Sequence, residues 1–466
     1  YTKGGLGQTG ISTSTGAAPS YDPDAVAYFT EVESAGGTLS DNVKAEYNAF
    51  VLREKENSRY SKLKRLYPYL GGVIDSARID AITLASATNN NFVDADADAL
   101  VGLQGDGSTK LLRAGYNFVD ALNDPISKIQ YGTFTNGYNL VGVNNGFAMG
   151  TVDTVSGYYY YSLISTSGVF NGYTGLGAAS AGQTGITNEV GLFKHSAARY
   201  STTSAYVLVN GVESTEDTDS NALAPSPTRE ICLFGRNTNG AFGLFFPEEV
   251  YMQYISEFDT LQESKDFESS YNTFLTNIQA YAAAQAYFAA VEGAGGTLST
   301  NVKSEFTSFV TREIENNRWD KIKRLYPFLG GTIDGARIDA VTLNPATNNN
   351  FVDGDVDPLV GLQGDGSTKL LLSDLPSAIW TSANNIQTYA FVSDVGALSS
   401  DNGYFGAQDG TSRILQRTRT FGNFNVYLYA GNLTTFANST VAYTASGYSV
   451  ISGRYSNSDV TISNNG

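Results

Sequence analysis

A long internal duplication constrains the 466-residue chain more than any other feature of its sequence. Residues 25–112 align without a gap to residues 284–371, at a constant offset of 259, and 64 of the 88 aligned pairs are identical. Solenoid repeats are far shorter, about 20–50 residues. The sequence therefore predicts two large units in series, each long enough to bury a core of its own.

Beyond Leu112 and Leu371 the two copies diverge, and only a weak echo remains, between residues 200–211 and 455–466. In the first copy this segment contains Asn210-Gly211 between two strand-like runs, which is the strongest short signal for a β-hairpin. The second copy reaches the same position at its last residue. An open final hairpin would leave a strand edge unpaired, so we expect a partial second β-domain and a natural chain that continues.

Each copy opens with helical signals. Asp22-Pro23 predicts the start of a first helix, and Ser40 caps a second helix with one apolar stripe. The run from Tyr60 to Tyr67 predicts a third helical turn that ends at Pro68. Basic residues lie off that stripe and form either a basic patch or a solvated helix face: Lys62, Lys64 and Arg65, with Lys321, Lys323 and Arg324 in the second copy.

From about Arg78 the pattern changes to short apolar runs separated by Gly, Asn, Asp and Ser, which is typical of a β-sandwich or jelly roll. Thr260 and Glu263 have capping-box spacing ahead of a closing helix. We predict five segments: a flexible or docking arm (1–21), helical module 1 (22–76), β-sandwich 1 with its closing helix (77–280), helical module 2 (281–335) and a partial β-sandwich 2 (336–466).

Several separated segments, in order, resemble a family of tailed-phage virion proteins: YDPDAVAYFTEVESAGGTLSDNVK, KLKRLYPYLGG, NNNFVDADADALVGLQGDGSTKLL and, further on, YVLVNGVES and ICLFGRNTNG. The resemblance implies a mainly β fold with small helical modules, in which tandem concanavalin A-like (LamG or lectin-type) jelly-roll sandwiches follow the helices. It also implies a surface fibre or appendage of a virion, outside the cell, whose partners are other virion proteins or copies of itself.

Composition excludes several classes of function. The chain has 29 Lys and Arg against 46 Asp and Glu, a net charge of −17, whereas nucleic-acid binding depends on clustered basic residues. The sequence contains no run of 18 or more apolar residues, so we expect no membrane insertion. One Cys (Cys232) and one His (His195) do not make a zinc site, and any triad or Cys–His catalysis would have to use His195. We therefore expect that the protein is not an enzyme and that it binds no cofactor. Calcium is the one ion that the sequence leaves to consider.

The calcium hypothesis depends on alternating acidic residues, because carboxylates that converge can hold a hard cation. The candidates are Asp94, Asp96 and Asp98, with Asp353, Asp355 and Asp357 in the second copy. The spacing does not fit an EF-hand loop. On an extended strand the same three residues would share a solvent-facing side and simply keep a sheet edge soluble, which is the alternative interpretation.

Aromatic residues give the better indication of function. Tyr158 to Tyr161 alternate faces if they form a strand, so Tyr158 and Tyr160 would share one face. Tyrosine beside polar loops suits sugar stacking, contacts with other proteins, or simply a packed sheet. The loop residues predicted to complete a glycan-contact surface are Asn144, Asn145, Asn237 and Asn239.

Three functions follow from these patterns. The first is a non-enzymatic contact protein whose lectin-like sandwiches bind host or environmental glycans. The second is a purely architectural capsid, tail or filament subunit without glycan binding. The third is a polysaccharide depolymerase, for which the nearest acid pair would come from Glu257, Asp259 and Glu263.

Overall fold

The structure is a computed structural model, and it is mainly β with a few helices. It describes residues 20–466 apart from 118–127, 139–145, 154–157, 165–169, 177–179, 184–188, 202–203, 215–229, 317, 358–360, 366–367, 374–385, 393–401, 409–412, 421–423, 429–436, 441–448, 456–459 and 465–466. The chain divides into two compact units, Tyr1–Ala282 and Ala283–Gly466.

The described helices are α1 Pro23–Ser34, α2 Asp41–Glu56, α3 Ile74–Ala77, α4 Leu261–Gly293, α5 Thr300–Glu315 and α6 Ile333–Ala336. The predicted caps are confirmed at three of them. Asp22 Oδ1 accepts from the Asp24 amide at 3.0 Å, and Ser40 Oγ accepts from the Val43 amide at 3.3 Å. At the start of α4, Thr260 Oγ1 accepts from the Glu263 amide at 3.1 Å. These bonds satisfy amides that the first helical turn leaves without a partner.

The described strands of the first unit are β1 Leu63–Tyr67, β2 Thr88–Asn90, β3 Leu103–Gln104, β4 Leu111–Asn117, β5 Ile129–Tyr138, β6 Gly146–Asp153, β7 Tyr158–Ile164, β8 Phe170–Leu176, β9 Ser180–Gln183, β10 Glu189–Ser201, β11 Ser204–Val209, β12 Val212–Glu213, β13 Glu230–Leu233, β14 Arg236–Thr238, β15 Ala241–Gly243 and β16 Glu249–Ser256. One sheet has the order β1-β16-β5-β10-β11-β12, with β3 beside β16. The other has the order β2-β4-β13-β6-β7-β8-β9, with β14 and β15 attached to β6. The hairpin predicted at Asn210-Gly211 is confirmed, with φ of 50° and 79° at its turn.

The first unit has three layers, because the sheet that contains β16 is covered on both faces. Ile255 belongs to the apolar core between the two sheets, together with Leu112 and Leu233 of the opposite sheet. Its neighbour Tyr254 points to the other face, since side chains alternate along a strand. There it joins a second core, built from α1, α2 and the first half of α4.

One predicted element of the first unit is wrong. The run that predicts a third helical turn forms a short 3-10 helix, Tyr60–Lys62, followed by strand β1. Leu66 of β1 pairs with Tyr254 and Tyr67 pairs with Gln253, so the backbone bonds of this segment go to the last strand of the unit. Pairing across the sheet therefore decides the conformation here.

The described strands of the second unit are β17 Thr347–Asn349, β18 Val356–Asp357, β19 Gly361–Leu362, β20 Leu370–Leu372, β21 Ile386–Val392, β22 Asn402–Gln408, β23 Arg413–Thr420, β24 Phe424–Leu428, β25 Ala437–Thr440, β26 Ser449–Tyr455 and β27 Val460–Asn464. The order β21-β26-β27 repeats β5-β10-β11, and β22-β23-β24-β25 repeats β6-β7-β8-β9. β17 pairs with β20 as β2 pairs with β4. Within the described residues, no strand stands in the places that β13 and β16 occupy in the first unit.

Candidate functional site

The tyrosine run occupies a central strand of the nine-stranded sheet. Strand β7 lies between β6 and β8, where Tyr158 is opposite Asp153 and Tyr160 is opposite Thr151. Tyr158 and Tyr160 stand at alternate positions, so the backbone places both on one face of the sheet. The side chains of both tyrosines lie outside the described part of the structure. Their role in glycan contact stays a prediction.

The asparagines predicted to flank this strand do not form one surface in the described residues. Asn144 and Asn145 lie outside the described ranges. Asn237 is only 5% exposed. Its Nδ2 donates to the Glu230 carbonyl at 3.1 Å, and its Oδ1 accepts from the Gly240 amide at 2.9 Å. Asn237 therefore braces the β14–β15 hairpin and does not offer its amide to a ligand, which corrects its assignment as a contact residue.

Asn239 occupies the turn of that hairpin and is exposed, with φ of 51°. Asparagine tolerates this left-handed conformation better than most residues. The position therefore explains the residue type without a ligand.

The three acidic residues of the calcium hypothesis are not arranged as predicted. Asp94 and Asp96 lie in a 3-10 helix rather than on an extended strand. Asp94 Oδ1 accepts from the Ile74 amide at 3.0 Å, whereas Asp98 Oδ1 accepts from the Leu100 amide at 2.8 Å. Asp96 forms an ion pair with Lys110 at 2.6 Å. Each carboxylate thus holds a different part of the loop.

The second copy repeats this arrangement. Asp353 Oδ1 accepts from the Ile333 amide at 2.8 Å, Asp355 pairs with Lys369, and Asp357 lies in the short strand β18. Among the residues that the structure describes, no group of three or more His, Cys, Asp or Glu side chains is arranged to hold a metal ion. The alternating spacing is explained by helix and turn caps, which the sequence pattern did not distinguish from ligands.

The acidic residues considered for hydrolysis are engaged in ion pairs. Lys62 Nζ lies 2.6 Å from Asp259 and 2.6 Å from Glu263, and Lys64 Nζ lies 2.7 Å from Glu257. Hydrogen bonds from Lys128 and Lys62 lower the pKa of Asp259 below its usual value. A glycosidase needs one carboxyl with a raised pKa as the general acid, whereas the pKa of Asp259 is shifted in the opposite direction.

These contacts also correct the interpretation of the basic residues. Lys62 and Lys64 of the first unit do not form a free basic patch or a freely solvated face, because each bonds to the segment that opens α4. Arg65 pairs with buried Asp80 at 3.3 Å.

Sequence reasoning missed a buried polar network between α4 and the seven-stranded sheet. Glu268 is fully buried, and its Oε1 accepts from Ser196 Oγ at 2.6 Å and from Tyr254 at 3.2 Å. Gln130 of β5 donates to Tyr254 at 2.7 Å and accepts from Ser264 at 2.6 Å. The signal available in the sequence was a Glu directly after Phe267, at the edge of the apolar stripe of the closing helix. Burial raises the pKa of Glu268, although its two hydrogen bonds oppose that shift.

A second polar group joins the two sheets. Gln253 of β16 accepts from Tyr69 and donates to the Ala148 carbonyl of β6 at 2.5 Å. His195 and Cys232 are also buried in this unit. Burial lowers the pKa of His195 to about 3, so the imidazole is neutral at physiological pH. His195 lies within strand β10. These groups are parts of the interior.

No family model matches the chain, and no curated protein matches it. Solved structures with detectable similarity include the carbohydrate-binding module CBM40 of the Ruminococcus gnavus IT-sialidase, at 10% identity over 36% of this chain and 95% of that one, with a TM-score of 0.27. Domain 4 of AbnA, a GH43 extracellular arabinanase from Geobacillus stearothermophilus in complex with arabinotriose, matches at 12% identity over 44% and 98%, with a TM-score of 0.30. Trypanosoma rangeli sialidase in complex with sialic acid matches at 12% identity over 44% and 33%, with a TM-score of 0.31.

Within the described residues, no helix is both long and apolar enough to cross a membrane.

Proposed function

We propose that the protein is a non-enzymatic contact protein whose first unit binds glycans through strand β7 of its nine-stranded sheet. The observation that carries this proposal is the position of Tyr158 and Tyr160 on one face of central strand β7. Rigid aromatic rings with a polar tip suit contact with a sugar ring and its hydroxyls. In keeping with the sequence resemblance, we propose that this contact occurs at a virion surface, outside the cell.

The second unit supplies an internal comparison. Strand β23 takes the place of β7 in the repeated strand order, and its residues Arg413–Thr420 include no aromatic side chain. We therefore propose one glycan site per chain rather than two.

The test is a glycan array probed with the full chain, followed by calorimetry on any ligand found. Replacing Tyr158 and Tyr160 by Ala should weaken binding by more than about tenfold, because such aromatic anchors dominate contact energies. The matched control is Arg417→Ala in β23, which should leave the affinity for the glycan unchanged. Calorimetry should give a stoichiometry of one glycan per chain. Absence of binding to any glycan would overturn the proposal and favour an architectural role. Release of reducing ends from a polysaccharide would instead indicate a depolymerase.

A further inference from the structure

The two copies of the repeat differ in which exposed apolar side chains they keep. In residues 25–112, all of which the structure describes, three large apolar side chains are exposed: Val26 at 44%, Leu52 at 42% and Val93 at 56%. The second copy has Gln285 and Thr311 in the first two places. The third place is again a valine, Val352, which is 59% exposed. The most exposed of the three is therefore the one that both copies keep.

The exposure of this valine does not depend on the segment that closes the first unit. That segment, residues 249–282, is present in the first unit, and Val93 is still 56% exposed. Val352 has nearly the same exposure in the second unit. The valine thus lies outside the surface that the closing segment covers, and a counterpart of that segment would leave Val352 exposed as well.

Local structure favours a polar residue at this position. Val93 directly precedes the 3-10 helix Asp94–Asp96, and its side chain makes no cap bond there. Ser, Thr, Asp or Asn would accept an amide hydrogen at such a position, whereas Val cannot. A residue that is exposed, is a poor cap and is nevertheless present in both copies is better explained by a contact than by folding.

The exposed residues around the valine are retained as well. Of the 12 exposed positions in residues 88–112, ten carry the same residue in both copies, and the two that differ are Ala95 and Ala99. Of the 20 exposed positions in residues 25–87, only eight carry the same residue. Retention is therefore a property of this surface and not of exposed positions in general.

Hydrogen bonds hold the loops that carry these residues in the same geometry in both units. Asn91 Nδ2 donates to the Thr109 carbonyl at 3.1 Å, and Asn350 Nδ2 donates to the Thr368 carbonyl at 3.0 Å. The amide of each valine donates to the carboxylate of the aspartate three residues later at 2.8 Å. Loops that are already ordered lose little conformational entropy when a partner binds them.

The chemistry of this surface indicates what kind of partner fits it. Residues 88–110 contain four Asp and one Lys, a net charge of −3, and residues 347–369 contain the same charged residues. Electrostatic complementarity therefore favours a basic partner. The one aromatic residue of the first stretch, Phe92, is buried, so no ring is exposed there to stack on a sugar. An aliphatic side chain among carboxylates suits a polypeptide better than a glycan.

We propose that each unit carries a contact surface for a basic polypeptide segment of another protein, which packs an apolar side chain against the valine and places Lys or Arg beside the aspartates. We call it the valine surface. It is defined by exposed residues of both units: Asn91, Val93, Asp94, Asp106 and Thr109, with Asn350, Val352, Asp353, Asp365 and Thr368. One chain therefore binds two such segments. This inference does not depend on glycan binding.

A second copy of the chain is a poor occupant of the valine surface. The chain has a net charge of −17, and both of its valine surfaces are acidic. Repulsion between like charges opposes contact between two such surfaces. A basic segment of another protein meets no such repulsion.

The experiment uses the full chain and a library of random peptides displayed on yeast. Peptides that bind the chain are selected, those that also bind the double variant Val93→Ser, Val352→Ser are removed, and the remaining peptides are synthesised. We expect these peptides to carry Lys and Arg around an apolar residue, and calorimetry should give two peptides per chain. Val93→Ser alone should leave one tight site per chain. The double variant should bind about tenfold more weakly or worse, because burial of a valine side chain is lost at both sites.

The matched control is Val26→Ser. Val26 is also an exposed valine, but the second copy does not keep it, so this variant should change neither the affinity for the peptides nor their stoichiometry. Serine is the better cap at position 93, so the thermal midpoint of Val93→Ser should not fall. Loss of binding without loss of stability would separate a contact role from a folding role.

Three results would overturn the proposal. The first is a selection that yields no peptide able to distinguish the chain from its double variant, or peptides that Val26→Ser weakens as much as Val93→Ser does. The second is a glycan whose binding the double variant loses, because a sugar would then occupy the surface. The third is a dimer of the full chain in sedimentation that the double variant converts to a monomer, because a second copy would then be the occupant.

Discussion

The guanidinium of Arg59 and the carboxylate of Glu54 form a two-point ion pair, with nitrogen–oxygen distances of 2.7 and 2.9 Å, and both residues are buried. Arg318 and Glu313 repeat the same geometry in the second unit at 2.6 and 2.9 Å, but there the arginine side chain is half exposed. One chain therefore contains the same bond in two environments. The difference between them comes from α4, which covers the pair only in the first unit.

The first prediction compares Glu54→Ala with Glu313→Ala. Removing one member of a buried ion pair leaves a charge without its partner and typically costs about 3–5 kcal/mol, whereas an exposed pair contributes about 0–1 kcal/mol. Hydrogen exchange of the α2 and α5 amides reports each module separately. We expect large loss of protection in α2 for Glu54→Ala and little loss in α5 for Glu313→Ala. Equal effects would contradict the assignment of burial to α4.

The second prediction concerns a matched pair of glycines. A Cβ on Gly105 would lie 1.9 Å from the Phe246 carbonyl oxygen, whereas a Cβ on its counterpart Gly364 would meet nothing within 4 Å. Gly105→Ala should therefore destabilise the first unit by about 1–3 kcal/mol, as overpacking does, and Gly364→Ala should be close to neutral. Urea titrations monitored by hydrogen exchange in peptides from each unit measure the change in unfolding free energy for both variants. A neutral Gly105→Ala variant would show that the 246–248 backbone moves freely.

The third prediction is the pH dependence due to Glu268. Burial raises its pKa in the folded protein, so the protonated form is favoured there. Its contribution to stability is fully present below the ordinary carboxyl pKa and is lost as pH rises through the raised value. Glu268→Gln removes this titration while retaining an oxygen that accepts from Ser196. The difference in unfolding free energy between the variant and the original chain should grow from pH 4 upward, in favour of Gln. A constant difference across that range would rule out the proposed burial of the charge.

The fourth prediction has the opposite sign and concerns His195. Its folded-state pKa of about 3 lies below the ordinary value of 6.5, so the unfolded chain binds the proton more tightly between these values. Stability is retained above pH 6.5 and falls by up to about 1.4 kcal/mol per pH unit below it. His195→Leu should lack this part of the acid dependence. The test compares the urea midpoints of His195→Leu and of the original chain from pH 7 to pH 4. Parallel curves would contradict the assignment of this acid dependence to His195.

Local signals in the sequence predicted the helix starts and the hairpin, because caps and turns depend on residues within a few positions of each other. Asp22, Ser40 and Thr260 behave as their spacing indicates. The mainly β character was also predicted from a local pattern, the short apolar runs separated by turn residues.

Conformations that depend on distant partners were not accessible in this way. LKRLY at residues 63–67 forms a strand beside β16, whereas the nearly identical IKRLY at residues 322–326 forms no strand. No local rule separates two such sequences. The same limit applied to Asp94 and Asn237, whose polar groups bond to amides or carbonyls that only the folded chain brings near.

The pairing of β1 with β16 also bears on how the first unit is made in the cell. Leu63 meets Ser256, its partner across the sheet, and these two residues are separated by most of the unit's length. At about 5–20 residues per second, the ribosome needs about 10–40 s to synthesise the stretch between them. During that time the early strands have open edges and uncovered apolar surface, and contacts of such long sequence separation form slowly. Nascent chains of this protein are therefore expected to depend on chaperones until the final strand and α4 have emerged.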